Sequence, residues 1–110
     1  TNNDTNLPTE NGMMPGAVSI IDYIQAETQV QPTIIAKPES PIMSGALQRL
    51  SVEKEDVLMV GDNYHTDILA GLNNNIDTLL VYSGVSTPDQ IKNLPKKPTH
   101  EVNSLDDWVI

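Results

Sequence analysis

The run Val57-Leu58-Met59-Val60 constrains this chain most. Four apolar residues without alternation fit a strand covered on both faces, as in parallel sheets flanked by helices. The run leads into Gly61-Asp62, and Asp67 follows five positions later. In open α/β sheets, ligands bind beyond the carboxyl ends of the strands. Carboxylates placed there offer the oxygen donors that a hard cation takes. Each also has an ordinary reading: Asp62 as a turn-capping aspartate, and Asp67 as a first-turn acid favoured by the helix dipole. The loop is no EF-hand, because it lacks the glycine at the sixth position and the distal glutamate.

Apolar periodicity predicts alternating helices and strands on either side of this run. Residues 1–15 are polar and turn-rich, with Asn2, Asn3, Asp4, Asn6, Pro8, Gly12 and Pro15. Ala17, Ile20, Ile21 and Ile24 form a helical stripe. Thr33-Ile34-Ile35-Ala36 reads as a short strand leading to Lys37-Pro38. Ser40 is placed to cap the next helix and Pro41 suits its first turn. Ile42, Met43, Ala46, Leu47 and Leu50 are the expected buried face of that helix. After the strand at 57–60, a helix carries Ile68, Leu69 and Leu72 and ends in Asn73-Asn74-Asn75. Thr78 to Tyr82 reads as a second buried strand, and Ser83 to Ser86 as a small-residue loop leaving it. Pro88 to Leu94 suits a short helix, Thr99 to Val102 a strand, and Ser104 with Asp107 a capping box. Strands 33–36, 57–60 and 77–82 are expected to share one sheet.

Composition narrows the function classes. Six basic against fifteen acidic side chains give a formal charge of −9. So acidic a surface repels nucleic acid and anionic lipid. No run approaches the ~20 apolar residues of a membrane span, and no signal-peptide pattern opens the chain. Cysteine is absent, which excludes a disulfide framework and a thiolate metal site. The expectation is a cytoplasmic protein with no nucleic acid or membrane partner; composition does not exclude one small anionic substrate, and a homo-oligomer stays open. The chain begins at Thr1, so a processed product or a fragment is expected.

Lys37-Pro38, Gly61-Asp62-Asn63 with Thr66-Asp67, and Asp77 to Val81 with Ser83-Gly84-Val85 together resemble the haloacid dehalogenase (HAD) superfamily. Within it the chain is similar to the NagD-like and p-nitrophenylphosphatase-like branch. The resemblance spans nearly all of the sequence and implies an α/β fold. That fold is a Rossmann-like parallel sheet with helices on both faces. It implies residues 1–13 as a return segment from a missing cap domain, and 14–110 as the C-terminal part of the hydrolase core. It also implies Mg2+ as cofactor, Asp62 as the metal ligand, and Asp67 and Lys37 as catalytic groups. Lys37 would face the phosphate, and Asp67 would orient Lys37 or metal-bound water. Asn63 is a weaker substrate-binding candidate. His65 reads as a surface residue and Thr66 as a helix cap. The 83–86 loop reads as a turn that alternatively offers backbone N–H groups to phosphate, and residues 1–6 as a segment near substrate.

One departure matters as much. The superfamily's nucleophile stands in an Asp-x-Asp motif, and no Asp-x-Asp occurs here. The resemblance therefore implies a magnesium-dependent phosphatase working through a phosphoaspartyl intermediate, with its nucleophile outside these 110 residues. The alternative is a non-catalytic α/β domain that binds a metal or partner. A receiver-like signalling domain fits less well, because Lys37 precedes Asp62 instead of following it. The chain expressed alone should show no turnover of p-nitrophenyl phosphate with magnesium. Metal-dependent turnover abolished by Asp62→Asn in the purified chain would overturn that expectation.

Overall fold

The computed structural model describes residues 4–109. They divide into two compact units, split between Ala36 and Lys37.

The first unit opens with a hairpin where a polar loop was expected. β1 (Asn6–Thr9) pairs antiparallel with β2 (Gly12–Pro15), with Leu7 opposite Met14 and Thr9 opposite Gly12. Asn11-Gly12 beside a two-residue connection is a hairpin signal that the abundance of turn formers concealed. The Thr9 hydroxyl closes the turn by donating to the Gly12 carbonyl at 2.6 Å. The expected helix follows as α1 (Ala17–Thr28), stopped by Gln29 in the left-handed region. Its stripe is not buried: Ile20 is 66% and Ile24 53% exposed. Residues 33–36 form no strand. β-branched residues favour the extended chain, but a strand exists only with a ladder partner, and none of the described residues pairs with them.

The second unit is a parallel α/β layer. α2 (Ser40–Leu50) starts with Glu39 as its cap residue, so Ser40 and Pro41 occupy the first turn and the expected Ser40 cap is not made. The predicted face of α2 is mostly exposed. Met43 is buried and Leu47 partly so, whereas Ala46, Ile42 and Leu50 lie outside. α2 touches the rest of the unit along a narrow contact with the helix that follows β3, and one contact ridge buries only the residues at its centre.

The sheet runs β3 (Leu58–Gly61), β4 (Asp77–Val81), β5 (His100–Val102), all parallel. Leu58 lies opposite Asp77 and Gly61 opposite Leu80; Leu79 lies opposite His100. Parallel neighbours need crossovers. The first is a π-helical turn at Tyr64–Ile68 running into α3 (Leu69–Asn73), and the second contains α4 (Pro88–Ile91). α3 ends at the asparagine triplet as expected, with Asn75 taking the left-handed conformation.

The strand covered on both faces is β4, not β3. Thr78, Leu79 and Leu80 are wholly buried, whereas Val60 in β3 is 41% exposed. β4 has strands on both sides, while among the described residues β3 is paired on one edge only. On one face of β4, Leu80 packs with Tyr64, Ile68 and Ile91. A second cluster joins Met43, Ala70 and Ile76, with Met59 of β3 against it. The buried Thr78 hydroxyl is satisfied across the sheet. Thr99 N–H donates to Thr78 Oγ1 at 2.9 Å, and Thr78 N–H donates to Thr99 Oγ1 at 3.0 Å. The capping box of Ser104 and Asp107 is made, on a 3-10 turn at Leu105–Asp107.

The β4–β5 pair continues to Tyr82, whose hydroxyl donates to Glu101 Oε2 at 2.5 Å. Burial, then the hydrogen bond and the negative charge of Glu101, push the Tyr82 phenol from 10.0 up to about 12. The unfolded chain therefore releases this proton first. The stabilising contribution is complete below pH 10 and is lost as pH rises toward 12. Phenolate absorbance during an alkaline titration, compared with Tyr82→Phe, should place the Tyr82 transition near the top of that window. A Tyr82 transition at the ordinary tyrosine value would refute the coupling.

Candidate active site

Beyond the end of β3, Asp62 and Asn63 lead into a turn of unusual pitch. The Asn63 carbonyl accepts from Asp67 N–H at 2.9 Å and from Ile68 N–H at 3.3 Å. The second bond spans five residues, which widens the turn to π geometry, a form often found at functional sites. Asn63 caps the turn, its Oδ1 accepting from His65 N–H at 3.0 Å. Thr66 lies inside the turn and is not the cap. The earlier oxygen, from Asn63, already meets the first free N–H groups.

The wide turn brings Asp67 back over Gly61. A Cβ at Gly61 would overlap the Asp67 side chain from its Cβ to its carboxylate, so glycine is what admits this approach. Asp67 is 7% exposed. A buried carboxylate must be paired and hydrogen-bonded, and this one is both. Its Oδ1 meets the Lys37 ammonium, and its Oδ2 accepts from Asn63 N–H at 3.3 Å. Lys37 keeps 44% of its side chain in solvent. The Lys37–Pro38 peptide bond is cis.

Asp62 stands one residue past β3 and faces the loop that leaves β4. Its Oδ2 accepts from Val85 N–H at 2.8 Å, and its carbonyl accepts from Ser86 N–H at 2.9 Å. The Ser86 hydroxyl accepts from Tyr64 N–H at 2.9 Å. Tyr64 is itself fixed, donating through its hydroxyl to the Lys96 carbonyl at 2.8 Å, and burial raises its pKa. His65 is exposed, its ring edge-on to Tyr64.

The fold thus brings Lys37, Asp62, Asn63 and Asp67 to the carboxyl end of β3, although Lys37 arrives without the expected strand at 33–36. Their roles differ in capacity. Both oxygens of Asp67 are engaged, and Asn63 Oδ1 serves the cap. Asp62 Oδ1 takes no hydrogen bond from any described residue, so Asp62 is the carboxylate with room for a ligand. No group of three or more His, Cys, Asp or Glu gathers among the described residues. This donor set fits a cation that keeps several waters and takes one or two carboxylates together with substrate phosphate, which is magnesium's habit. Thr1–Asn3, the start of the segment expected near substrate, lies outside the described residues. Tyr64, Gly84 and Ser86 also build the surroundings of Asp62, where the sequence marks the 83–86 loop only as a turn or as backbone N–H groups for phosphate. The 83–86 loop was visible as small residues, but its grip on Asp62 spans more than twenty positions and leaves no local signal.

Comparison with known proteins places the chain among HAD-like hydrolases. The HAD-hydrolase-like family model matches residues 34–108. The chain is 46% identical over 109 residues to 5'-nucleotidase YutF of Bacillus subtilis, covering 99% of this chain and 43% of that protein. It is 42% identical over 109 residues to the acid sugar phosphatase of Staphylococcus saprophyticus, covering 99% of this chain and 42% of that protein. Among solved structures it superimposes on a double mutant of a thermostable NPPase from Geobacillus stearothermophilus with a TM-score of 0.89. The identity there is 47%, over 98% of this chain and 42% of that one. A p-nitrophenyl phosphatase from Archaeoglobus fulgidus matches with a TM-score of 0.86 at 37% identity, over 96% of this chain and 42% of that one. The chain therefore spans about two-fifths of the length of these relatives.

The closeness of Gly61 to Asp67 has a measurable consequence. Gly61→Ala should destabilise the unit by about 1–3 kcal/mol, the usual cost of overpacking, because the Asp67 Cβ cannot rotate out of the way. Urea unfolding of the chain and of the variant checks this; equal midpoints would show that the approach is looser than the structure has it.

Proposed function

This chain belongs to the HAD-hydrolase-like family, and we propose that it is part of a magnesium-dependent phosphatase that hydrolyses phosphomonoesters of small metabolites. The carrying observation is the pairing of a solvent-accessible Lys37 with a buried Asp67, one loop away from a half-satisfied Asp62. The relatives named above are a 5'-nucleotidase, an acid sugar phosphatase and p-nitrophenyl phosphatases. Their shared chemistry is phosphomonoester hydrolysis, and the reading carries over only that class. Within it, residues 1–13 are the return from a cap domain and 14–110 part of the hydrolase core.

In this reading Asp62 offers its open oxygen to magnesium. The bound ion supplies charge neutralisation, so that an anionic carboxylate can approach an anionic phosphate. Lys37 sets its ammonium against the charge that develops on the transferring phosphoryl group. Asp67 anchors that ammonium through a direct ion pair. Asn63 holds the turn and lies beside the substrate. The attacking aspartate, which would take the phosphoryl group as an acyl phosphate while the substrate alcohol leaves and then yield it to water as inorganic phosphate, comes from outside these 110 residues, since no Asp-x-Asp occurs among them.

Two substitutions in the whole enzyme separate these roles. Asp62→Ala should lose activity together with magnesium binding, and Lys37→Ala should lose activity with magnesium binding largely retained. Each should cost about 10²–10³ in kcat, as for one preorganised charge stabiliser. Magnesium titration with steady-state kinetics on phosphomonoester substrates measures both. Wild-type rates in either variant would refute the role assigned to that residue.

A further inference from the structure

We propose that the loop after β4 is the positioning device for Asp62, with Gly84 and Ser86 as its positioning residues. The proposal rests on the reading of Asp62 as the magnesium ligand and adds what aims that ligand. Three contacts carry it. Val85 N–H donates to Asp62 Oδ2 at 2.8 Å, which occupies one carboxylate oxygen and leaves Oδ1 as the outward one. Ser86 donates its N–H to the Asp62 carbonyl and accepts the Tyr64 N–H through its hydroxyl, both at 2.9 Å. It thereby clamps the backbone on both sides of Asn63. Ser86 is 5% exposed, so these bonds are sheltered from water.

Gly84 supplies the space. A Cβ built on Gly84 would overlap Asp62 Oδ2, Cγ and Cβ, and would meet no closer atom than these. The Asp62 carboxylate therefore lies where any other residue would place its side chain. The obstructing atoms belong to one rotatable side chain, and the backbone of Gly84 lies outside the left-handed region. A methyl group at position 84 therefore drives the carboxylate off Val85 N–H and, because the Asp62 Cβ also lies within 2.6 Å of it, shifts the backbone that carries Asp62. As at Gly61, the Cβ of the approaching aspartate is itself crowded. Groups that orient a metal ligand typically contribute 10–100-fold to metal affinity or activity.

The test uses the whole enzyme and magnesium itself. Calorimetric titration of magnesium into wild type, Gly84→Ala and Asp62→Ala is paired with thermal unfolding in chelator. Gly84→Ala should bind magnesium about 10–100-fold more weakly, compared at a temperature where the metal-free wild type and variant are both folded. Its kcat should largely return at saturating magnesium, a split that general destabilisation would not produce. If Gly84→Ala binds magnesium like wild type while Asp62→Ala has lost binding, the positioning proposal is overturned and Asp62 keeps its role. If Asp62→Ala itself binds like wild type, the metal reading falls and this proposal falls with it. Should Gly84→Ala not fold without metal, Ser86→Ala decides at a temperature where it is folded. Weakened magnesium binding then supports the clamp, and wild-type binding overturns it.

Discussion

The buried carboxylate of Asp67 is the constraint on which the site depends. A charge taken out of water is costly unless it is paired and its lone pairs are occupied. Lys37 and the Asn63 N–H meet that demand. To do so the chain must return Asp67 over the end of β3, and the π-helical turn achieves the return. The same demand requires a residue without a side chain at position 61. It also gives Lys37, which follows a segment with no strand of its own, a fixed place at the sheet's carboxyl edge. One electrostatic requirement thus sets a turn geometry, a glycine and the location of the Lys37 ammonium.

Rigidity comes from β4. With both faces buried and strands on both sides, it is the most enclosed element of the second unit. Two loops emerge side by side from the carboxyl ends of β3 and β4, and they are tied to each other rather than to solvent. Tyr64 joins them to the hydrophobic cluster beneath, since its ring packs with Ile68, Leu80 and Ile91 while its N–H meets Ser86. Catalytic groups on loops need such support, because a small displacement of a positioned charge removes much of its effect. Asp62 is consequently only half free, with one oxygen held and the other open.

Local chemistry was legible in the sequence wherever neighbouring residues decide the outcome. The capping box of Ser104 and Asp107, the asparagine stop after α3, the apolar run of β4 and the short helix at Pro88 all formed as read. Failures cluster where a partner is needed. The 33–36 segment has the composition of a strand and no described neighbour to pair with. The stripe of α1 is periodic, yet Ile20 and Ile24 stay largely exposed. β3 is as apolar as β4, but its outer edge is unpaired among the described residues and Val60 is open. Periodicity reports what a face is suited to bury, not whether anything is there to cover it.

The sequence by itself determined the parallel α/β class and marked Asp62 and Asp67 as carboxylates at a strand end, because strand ends and glycine-aspartate turns are local properties, whereas Lys37 stood out only through the family resemblance. Only the tertiary structure decided which carboxylate is committed to Lys37 and which keeps an open oxygen. It alone showed that the carboxylate of Asp62 occupies the place of a side chain at Gly84. Those outcomes depend on how closely two chain segments more than twenty residues apart approach in space. A distance of that kind is set by packing and register, and no spacing along the chain encodes it.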